Sequence, residues 1–318
     1  MSKVIISLAN PRGFCAGVDR AIDIVNKALE IYGKPIYVKH EVVHNRFVVQ
    51  DLESRGAIFV EEIQEIPDNS IVIFSAHGVS RQVEIETNSR GLEFHDATCP
   101  LVTKVHMEVI KHTRAKRDII LIGHEGHPEV EGTMGRHTKS KESEIYLVQD
   151  EQDAKSVKVK QPKNLALVTQ TTLSVDDTKA IINELKIRFP DLITPKNDDI
   201  CYATQNRQDA VKQLALENDF MIVVGSKNSS NSNRLKELSD RCGCEAILID
   251  EFNDLDLGKI KDIQKIAITA GASAPEDRVQ EIAKSLQAVT GGVITEVGKD
   301  EENIVFKMPP ELRKEHIQ

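Results

Sequence analysis

The 318-residue chain is 40% apolar and 29% charged, enough for two or three ordinary cores. Its 41 Lys and Arg against 50 Asp and Glu give a net charge of −9, which counts against a non-specific nucleic-acid binder, although a local basic patch is compatible with it. The most apolar runs, Ile119–Ile122 and Phe220–Val224, are four or five residues long, far short of the roughly 20 that cross a bilayer.

In chain order, Val4–Ala9 predicts a strand, followed by the loop Pro11-Arg-Gly-Phe-Cys15 and a helix over Val18–Ile31. No secretory leader pattern precedes them, and a soluble cytoplasmic protein without membrane or nucleic-acid partners is expected. Strand Ile36–Lys39 runs into His40-Glu-Val-Val-His44-Asn45, and strand Ile71–Ser75 into Ala76-His77-Gly78. Strand Glu93–His95 ends at Asp96-Ala-Thr-Cys99, before a helix over Leu101–His112. Strand Ile119–Gly123 leads to His124-Glu-Gly-His127-Pro-Glu129, and Leu165–Thr169 to Gln170-Thr171-Thr172 and a helix over Asp176–Arg188. After Asp198-Asp-Ile-Cys201 come a helix over Ala203–Glu217, strand Phe220–Gly225, the loop Lys227–Asn233 and a helix beginning near Asn233. Strands Ala246–Ile249 and Ile266–Thr269, the loop to Ser273, a helix over Pro275–Ala288 and strand Val293–Val297 complete the pattern. Strand, helix, strand in alternation predicts an α/β fold with mostly parallel sheets.

The pattern repeats. Cys15, Cys99 and Cys201 each end a loop and precede a helix. His44, His127 and Ser230 follow their cysteines by 29, 28 and 29 residues; His77, Thr171 and Ser273 follow by 62, 72 and 72. Three similar α/β units are expected over 1–97, 98–197 and 198–318. Ligand loops of a parallel sheet emerge at the carboxyl ends of its strands, so units packed face to face in pseudo-threefold fashion would bring all three cysteines to one centre.

A sulfur at a helix start sits at the positive end of the helix dipole, which favours thiolate. Three thiolates suit zinc or an iron–sulfur cluster and leave one coordination position open, although separations of 84 and 102 residues match no finger or ferredoxin spacing. Cys242 and Cys244 stand outside the repeated loops and are read as incidental. Ser229, Ser230 and Asn231 before a helix predict an anion site, with His44, His77 and His127 as further donors. Neither a P-loop nor a dinucleotide fingerprint is present, and His124-Glu-Gly-His127 is one residue short of the zinc-protease motif. Glu129 is a candidate proton donor. A three-cysteine zinc hydrolase and a non-enzymatic iron–sulfur sensor compete with an iron–sulfur enzyme.

Asn10-Pro-Arg-Gly-Phe-Cys15-Ala-Gly, Val42-Val-His44-Asn, Ser75-Ala-His77-Gly, Asp96-Ala-Thr-Cys99-Pro, Gly126-His127-Pro-Glu129-Val-Glu-Gly, Thr169-Gln-Thr171-Thr172, Asp199-Ile-Cys201, Ser226-Lys-Asn-Ser-Ser-Asn231-Ser-Asn-Arg and Ala270-Gly-Ala-Ser273 closely resemble the 4-hydroxy-3-methylbut-2-enyl diphosphate reductases, from near residue 4 to about 310. The resemblance implies three α/β domains around a [4Fe–4S] cluster held by Cys15, Cys99 and Cys201, with the fourth iron free of protein ligand and lost first in air. It implies that His44, His77, His127, Ser229, Ser230, Asn231 and Ser273 bind the diphosphate, that Thr171 orients the substrate hydroxyl, and that Glu129, with His127 beside it, serves catalysis by delivering protons. The implied reaction, the last of the non-mevalonate isoprenoid pathway, is a two-electron reductive dehydroxylation to isopentenyl and dimethylallyl diphosphates. A reduced ferredoxin or flavodoxin would dock transiently as electron donor.

Overall fold

A computed structural model describes residues 3–138, 141–299 and 302–313. Its first elements are β1 (Ile5–Asn10), α1 (Ala16–Tyr32), β2 (Ile36–Lys39), α2 (Arg46–Arg55), β3 (Ala57–Val60), β4 (Ile71–Phe74), α3 (Arg81–Ser89) and β5 (Glu93–Asp96). Then come α4 (Pro100–Arg114), β6 (Asp118–Ile122), α5 (Pro128–Met134), β7 (Ile145–Val148), α6 (Glu151–Ser156), β8 (Leu165–Thr169) and α7 (Val175–Arg188). The last are α8 (Tyr202–Ala215), β9 (Phe220–Val224), α9 (Ser230–Arg241), β10 (Glu245–Ile249), α10 (Leu257–Ile260), β11 (Lys265–Ala270), α11 (Glu276–Thr290) and β12 (Val293–Gly298). Among the described residues the strands form three sheets, ordered β10-β9-β11-β1-β12, β3-β2-β4-β5 and β7-β6-β8. Every pairing in them is parallel, so the fold is α/β as expected. No described helix is long and apolar enough to cross a membrane.

The chain divides into two compact units. One comprises Met1–Val18, His44–Val48 and Tyr202–Val305 and contains the five-stranded sheet. Its central strands β9, β11 and β1 are buried on both faces, as parallel strands covered by helices must be, whereas the edge strand β12 is largely exposed. Phe220, Ile222 and Val224 pack with Ile266, Ile268 and the α11 residues Val279, Ile282 and Leu286. The alternate residues Met221 and Val223 pack with Val211 and Leu214 of α8 and Leu235 and Leu238 of α9. β1 pairs in register with both β11 and β12, so the strand expected to open the first repeat completes the sheet of the third.

The other unit comprises Asp19–Val43, Val49–Cys201 and Phe306–Gln318, with the remaining two sheets. In the three-stranded sheet Ile120, Ile122, Leu165 and Leu167 pack against Ile181 and Leu185 of α7. Ile119, Leu121 and Val168 face Val105 and Val109 of α4. In the four-stranded sheet Val72 and Phe74 pack with Val60, Ile63 and Ile66. α3, α6, α7 and α9 start at side-chain caps from Ser80, Asp150, Ser174 and Ser229.

Candidate active site

In the first unit the neighbouring strands β9, β11 and β1 deliver three of the predicted loops from their carboxyl ends. The Cys15 loop lies against the Ser273 loop: Gly13 N–H donates to Ala270 O at 3.4 Å and Cys15 N–H to Ala272 O at 3.3 Å. Gly13 has φ +63°, and a Cβ there would stand 3.0 Å from Ala274 O, so only glycine fits. Ser273 Oγ donates to the His44 carbonyl at 2.9 Å. Arg46 N–H, two residues on, donates to Ser226 Oγ at 3.1 Å.

α9 begins at Ser230, three residues before the predicted start, so Ser230 and Asn231 lie in its first turn and Ser229 is its cap. Ser232, not singled out from the sequence, braces the cap: its Oγ donates to Ser229 Oγ at 3.0 Å. A Cβ at Gly225 or Gly271 would come within 2.3 or 2.0 Å of that Oγ, so both glycines make room for it. Asn231 is buried, yet neither its amide oxygen nor its amide nitrogen has a hydrogen-bond partner. A buried amide with both functions unspent, in the first turn of a helix, is suited to an anionic ligand with oxygen atoms.

At Cys15 the backbone N–H groups of Val18 and Gly17 and the nearby Arg207 cation favour the thiolate, while burial outweighs them and pushes the thiol pKa up.

In the second unit the His77 turn follows β4. Gly78 has φ +77°, and a Cβ there would lie 2.6 Å from His106 Cε1. His106 stays neutral, its pKa pushed down to about 3 by burial and the Arg136 charge. His127 caps α5, its Nδ1 accepting from Glu129 N–H at 3.1 Å. An accepting Nδ1 carries no proton, so the ring presents an Nε2–H donor. Pro128 occupies the first helical position, where its missing N–H costs nothing. The His77 and His127 rings meet edge-on with centroids 5.8 Å apart.

Glu129 is 2% exposed. Its Oε1 accepts from Thr171 N–H at 2.6 Å and its Oε2 from Thr171 Oγ1 at 3.0 Å. Burial raises its pKa to about 7 despite those two bonds, and the Asp199 charge adds to the rise. Cys201 N–H donates to Thr171 O at 3.1 Å, and Cys99, which caps α4, donates its N–H to Ala76 O at 3.0 Å beside His77. Gln170, also missed from the sequence, is buried and holds the His124 N–H at 3.1 Å and Thr172 Oγ1 at 3.0 Å. Its only sequence signal is its place inside the Thr-Gln-Thr-Thr run.

The predicted residues thus fall into two groups. Cys15, His44, Ser229, Ser230, Asn231 and Ser273 belong to the first unit, and Cys99, Cys201, His77, His127, Glu129 and Thr171 to the second. Cys15, Cys99 and Cys201 are half-buried and in no disulfide, each directly before or capping a helix. Soft sulfur donors in that state fit an iron–sulfur cluster. Cys242 is exposed at the end of α9 and Cys244 packs in the core of the first unit.

A buried carboxyl group with its pKa raised, bonded to a threonine at the end of a parallel strand, is the kind of group that α/β enzymes use to move protons. The particular family follows from comparison: a family model described as LytB protein matches residues 6–287, and the chain belongs to that family. It is 61% identical over 308 residues to the 4-hydroxy-3-methylbut-2-enyl diphosphate reductase of Alcanivorax borkumensis, covering 97% of this chain and 99% of the relative. It is 62% identical to the enzyme of that name from Pseudomonas putida, covering 97% and 98%. The solved structure of the E-1-hydroxy-2-methyl-but-2-enyl-4-diphosphate reductase from Plasmodium falciparum superposes with a TM-score of 0.93 at 39% identity, over 98% of this chain and 97% of that one. A second solved structure, titled (E)-4-hydroxy-3-methyl-but-2-enyl diphosphate reductase, the terminal enzyme of the non-mevalonate pathway, gives 0.63 at 30% identity over 90% and 99%.

Proposed function

We propose that this chain is a cytoplasmic oxidoreductase that removes the hydroxyl group of 4-hydroxy-3-methylbut-2-enyl diphosphate, giving isopentenyl and dimethylallyl diphosphates in the last step of the non-mevalonate isoprenoid pathway. The balanced change is substrate plus two electrons and two protons to product plus water. Cys15, Cys99 and Cys201 would hold one [4Fe–4S] cluster, through which two electrons would be delivered one at a time from a reduced ferredoxin or flavodoxin. The three sequence repeats would act as three domains around that centre, with β1 of the first contributed to the sheet of the third.

The residues divide the remaining work. Ser229, Ser230, Asn231, Ser273, His44, His77 and His127 take the diphosphate oxygens, and the open amide of Asn231 and the Nε2–H of His127 are donors suited to them. Thr171 receives the hydroxyl end of the substrate. Hydroxide is a poor leaving group, so a proton must reach the departing oxygen. Glu129 holds that proton near neutral pH and passes it through the Thr171 hydroxyl 3.0 Å away. Burial keeps bulk water from competing for it.

The observation that carries this reading is the Glu129–Thr171 pair: a carboxyl group buried at a cost in stability, in a chain 61% identical to a named reductase of this substrate. The test is an anaerobic assay with the hydroxylated diphosphate and a one-electron donor, beside metal analysis. A brown protein with iron and sulfide that forms both products is expected. A colourless protein carrying about one zinc, without turnover, overturns the reading.

A further inference from the structure

We propose that Arg20, Lys104 and Arg207 are positioning residues for the three cysteine loops, each standing on the helix after one cysteine and gripping the loop that leads to the next. This rests on the reading of Cys15, Cys99 and Cys201 as cluster ligands. Arg20 lies five residues past Cys15, Lys104 five past Cys99 and Arg207 six past Cys201, so all three occupy the second turn of their helices, α1, α4 and α8.

Their targets follow in cyclic order. Arg20 donates to the carbonyls of Thr98 at 3.0 Å and Asp96 at 3.3 Å, the residues before Cys99. Lys104 donates to the carbonyls of Asn197 and Asp198, both at 3.1 Å, before Cys201. Arg207 donates to the carbonyl of Gly13 at 2.6 Å and that of Phe14 at 3.3 Å, before Cys15. Each contact lies within one compact unit.

Each cation also has a carboxylate nearby: Asp199 lies 3.3 Å from Lys104, Glu302 2.9 Å from Arg207, and the Asp96 charge acts on Arg20. A long cationic side chain that covers a loose carbonyl is common on any surface. Three that all bind main chain, at matching offsets from three cysteines and always towards the next, form a pattern that the threefold repeat explains and random packing does not. Main-chain acceptors matter here because a grip on the carbonyls fixes the backbone from which the cysteine side chain projects. Because the grip needs no cluster atom, it should hold the loops in the metal-free chain too, and the charges of Arg20 and Arg207 act on Cys99 and Cys15.

Hydrogen exchange in the metal-free full chain reads the grip directly. Arg20→Met should speed exchange about tenfold in the segment 96–99, Lys104→Met in 197–201 and Arg207→Met in 13–15, each in the loop gripped rather than in the helix substituted. Lys104 is 38% exposed, so Lys104→Met is the variant expected to fold without difficulty, and Lys104→Arg should restore wild-type protection. In the anaerobically reconstituted protein the methionine variants should lose iron to a chelator about tenfold faster or more. Their clusters should have a more negative reduction potential, because a cation that favours the reduced state is gone. Exchange that rises only in the substituted helix overturns the grip. Altered loops with unchanged iron loss and potential overturn the positioning role. A wild-type chain that assembles no cluster sinks the proposed function, while the exchange result still decides the loop contacts.

Discussion

Glu129 is the side chain whose protonation state has the clearest consequences. A carboxyl that titrates near about 7 rather than its ordinary 4.5 is protonated for part of the neutral range, so turnover should be level at lower pH and fall as pH rises through about 7. Glu129→Gln keeps the volume and hydrogen-bonding capacity but has no proton to give. Its turnover should drop by roughly 10²–10⁴ while substrate affinity and iron content hold, measured by single-turnover rates, substrate titration and metal analysis. A variant turning over near the wild-type rate would transfer the role to another donor. The same shift affects stability with a definite sign. Below the unfolded value both states are protonated and burial costs nothing; between about 4.5 and 7 the unfolded state ionises first and the native state loses ground. Glu129→Gln removes that penalty, so it should be more stable than wild type at pH 8, by on the order of 3 kcal/mol at most, and equal to it at pH 4. Denaturant midpoints at the two pH values check this, and an equal shift at both would disprove the coupling to ionisation.

At the level of elements, the strands that carry the site could be read directly. Ile36–Lys39 and Leu165–Thr169 appear with the predicted bounds, and the other predicted strands start or stop within a residue or so, because buried parallel strands are short apolar runs with polar residues at their ends. β3 and β7 escaped although Ala57-Ile-Phe-Val60 and Ile145-Tyr-Leu-Val148 are unbroken apolar runs; each is only four residues long and partly exposed, and neither ends in a loop that the repeat singled out. α2, α3 and α6 escaped because charged residues break up their apolar faces, and their starts depend on side-chain caps or on tertiary contacts such as that of Arg46. Repeat offsets located the site loops but not their bracing, since Gln170, Ser232 and His106 act through partners distant in sequence or through glycines that make space. Gly78 tests that bracing. Gly78→Ala meets both the left-handed φ of +77° and the His106 ring 2.6 Å away, so it should destabilise the fold by about 1–3 kcal/mol and weaken diphosphate binding through a displaced His77. Adding His106→Ala relieves the clash but not the backbone strain, so recovery should be partial. Full recovery in the double variant would show that φ is not restrictive there, and wild-type affinity in the single variant would remove His77 from the binding set.

For the whole chain, the five cysteines offer a sharper division than sequence spacing alone allowed. Cys15, Cys99 and Cys201 share a setting, half-buried at a helix start and preceded by a loop whose carbonyls are held by a cation from another part of the chain. Cys242 and Cys244 share none of it: one is exposed at the end of α9, the other is core filler beside Val211 and Met221. Serine is a hard oxygen donor and a poor substitute for thiolate towards iron. Cys15→Ser, Cys99→Ser and Cys201→Ser should therefore each lose most bound iron and all turnover. Cys242→Ser should keep both, and Cys244→Ser should keep its iron at some cost in stability, because a buried hydroxyl replaces a weakly polar sulfur. On the proposed ligation, three thiol ligands for four irons would leave one iron without protein protection, so air should convert the cluster to a three-iron form with loss of activity before the protein unfolds. Iron per chain and the electron paramagnetic resonance spectrum, before and after exposure to air, measure both effects. A Cys242→Ser chain as depleted of iron as Cys15→Ser, or a four-iron cluster that survives hours in air at full activity, would require a fourth protein ligand and so overturn the three-thiolate centre.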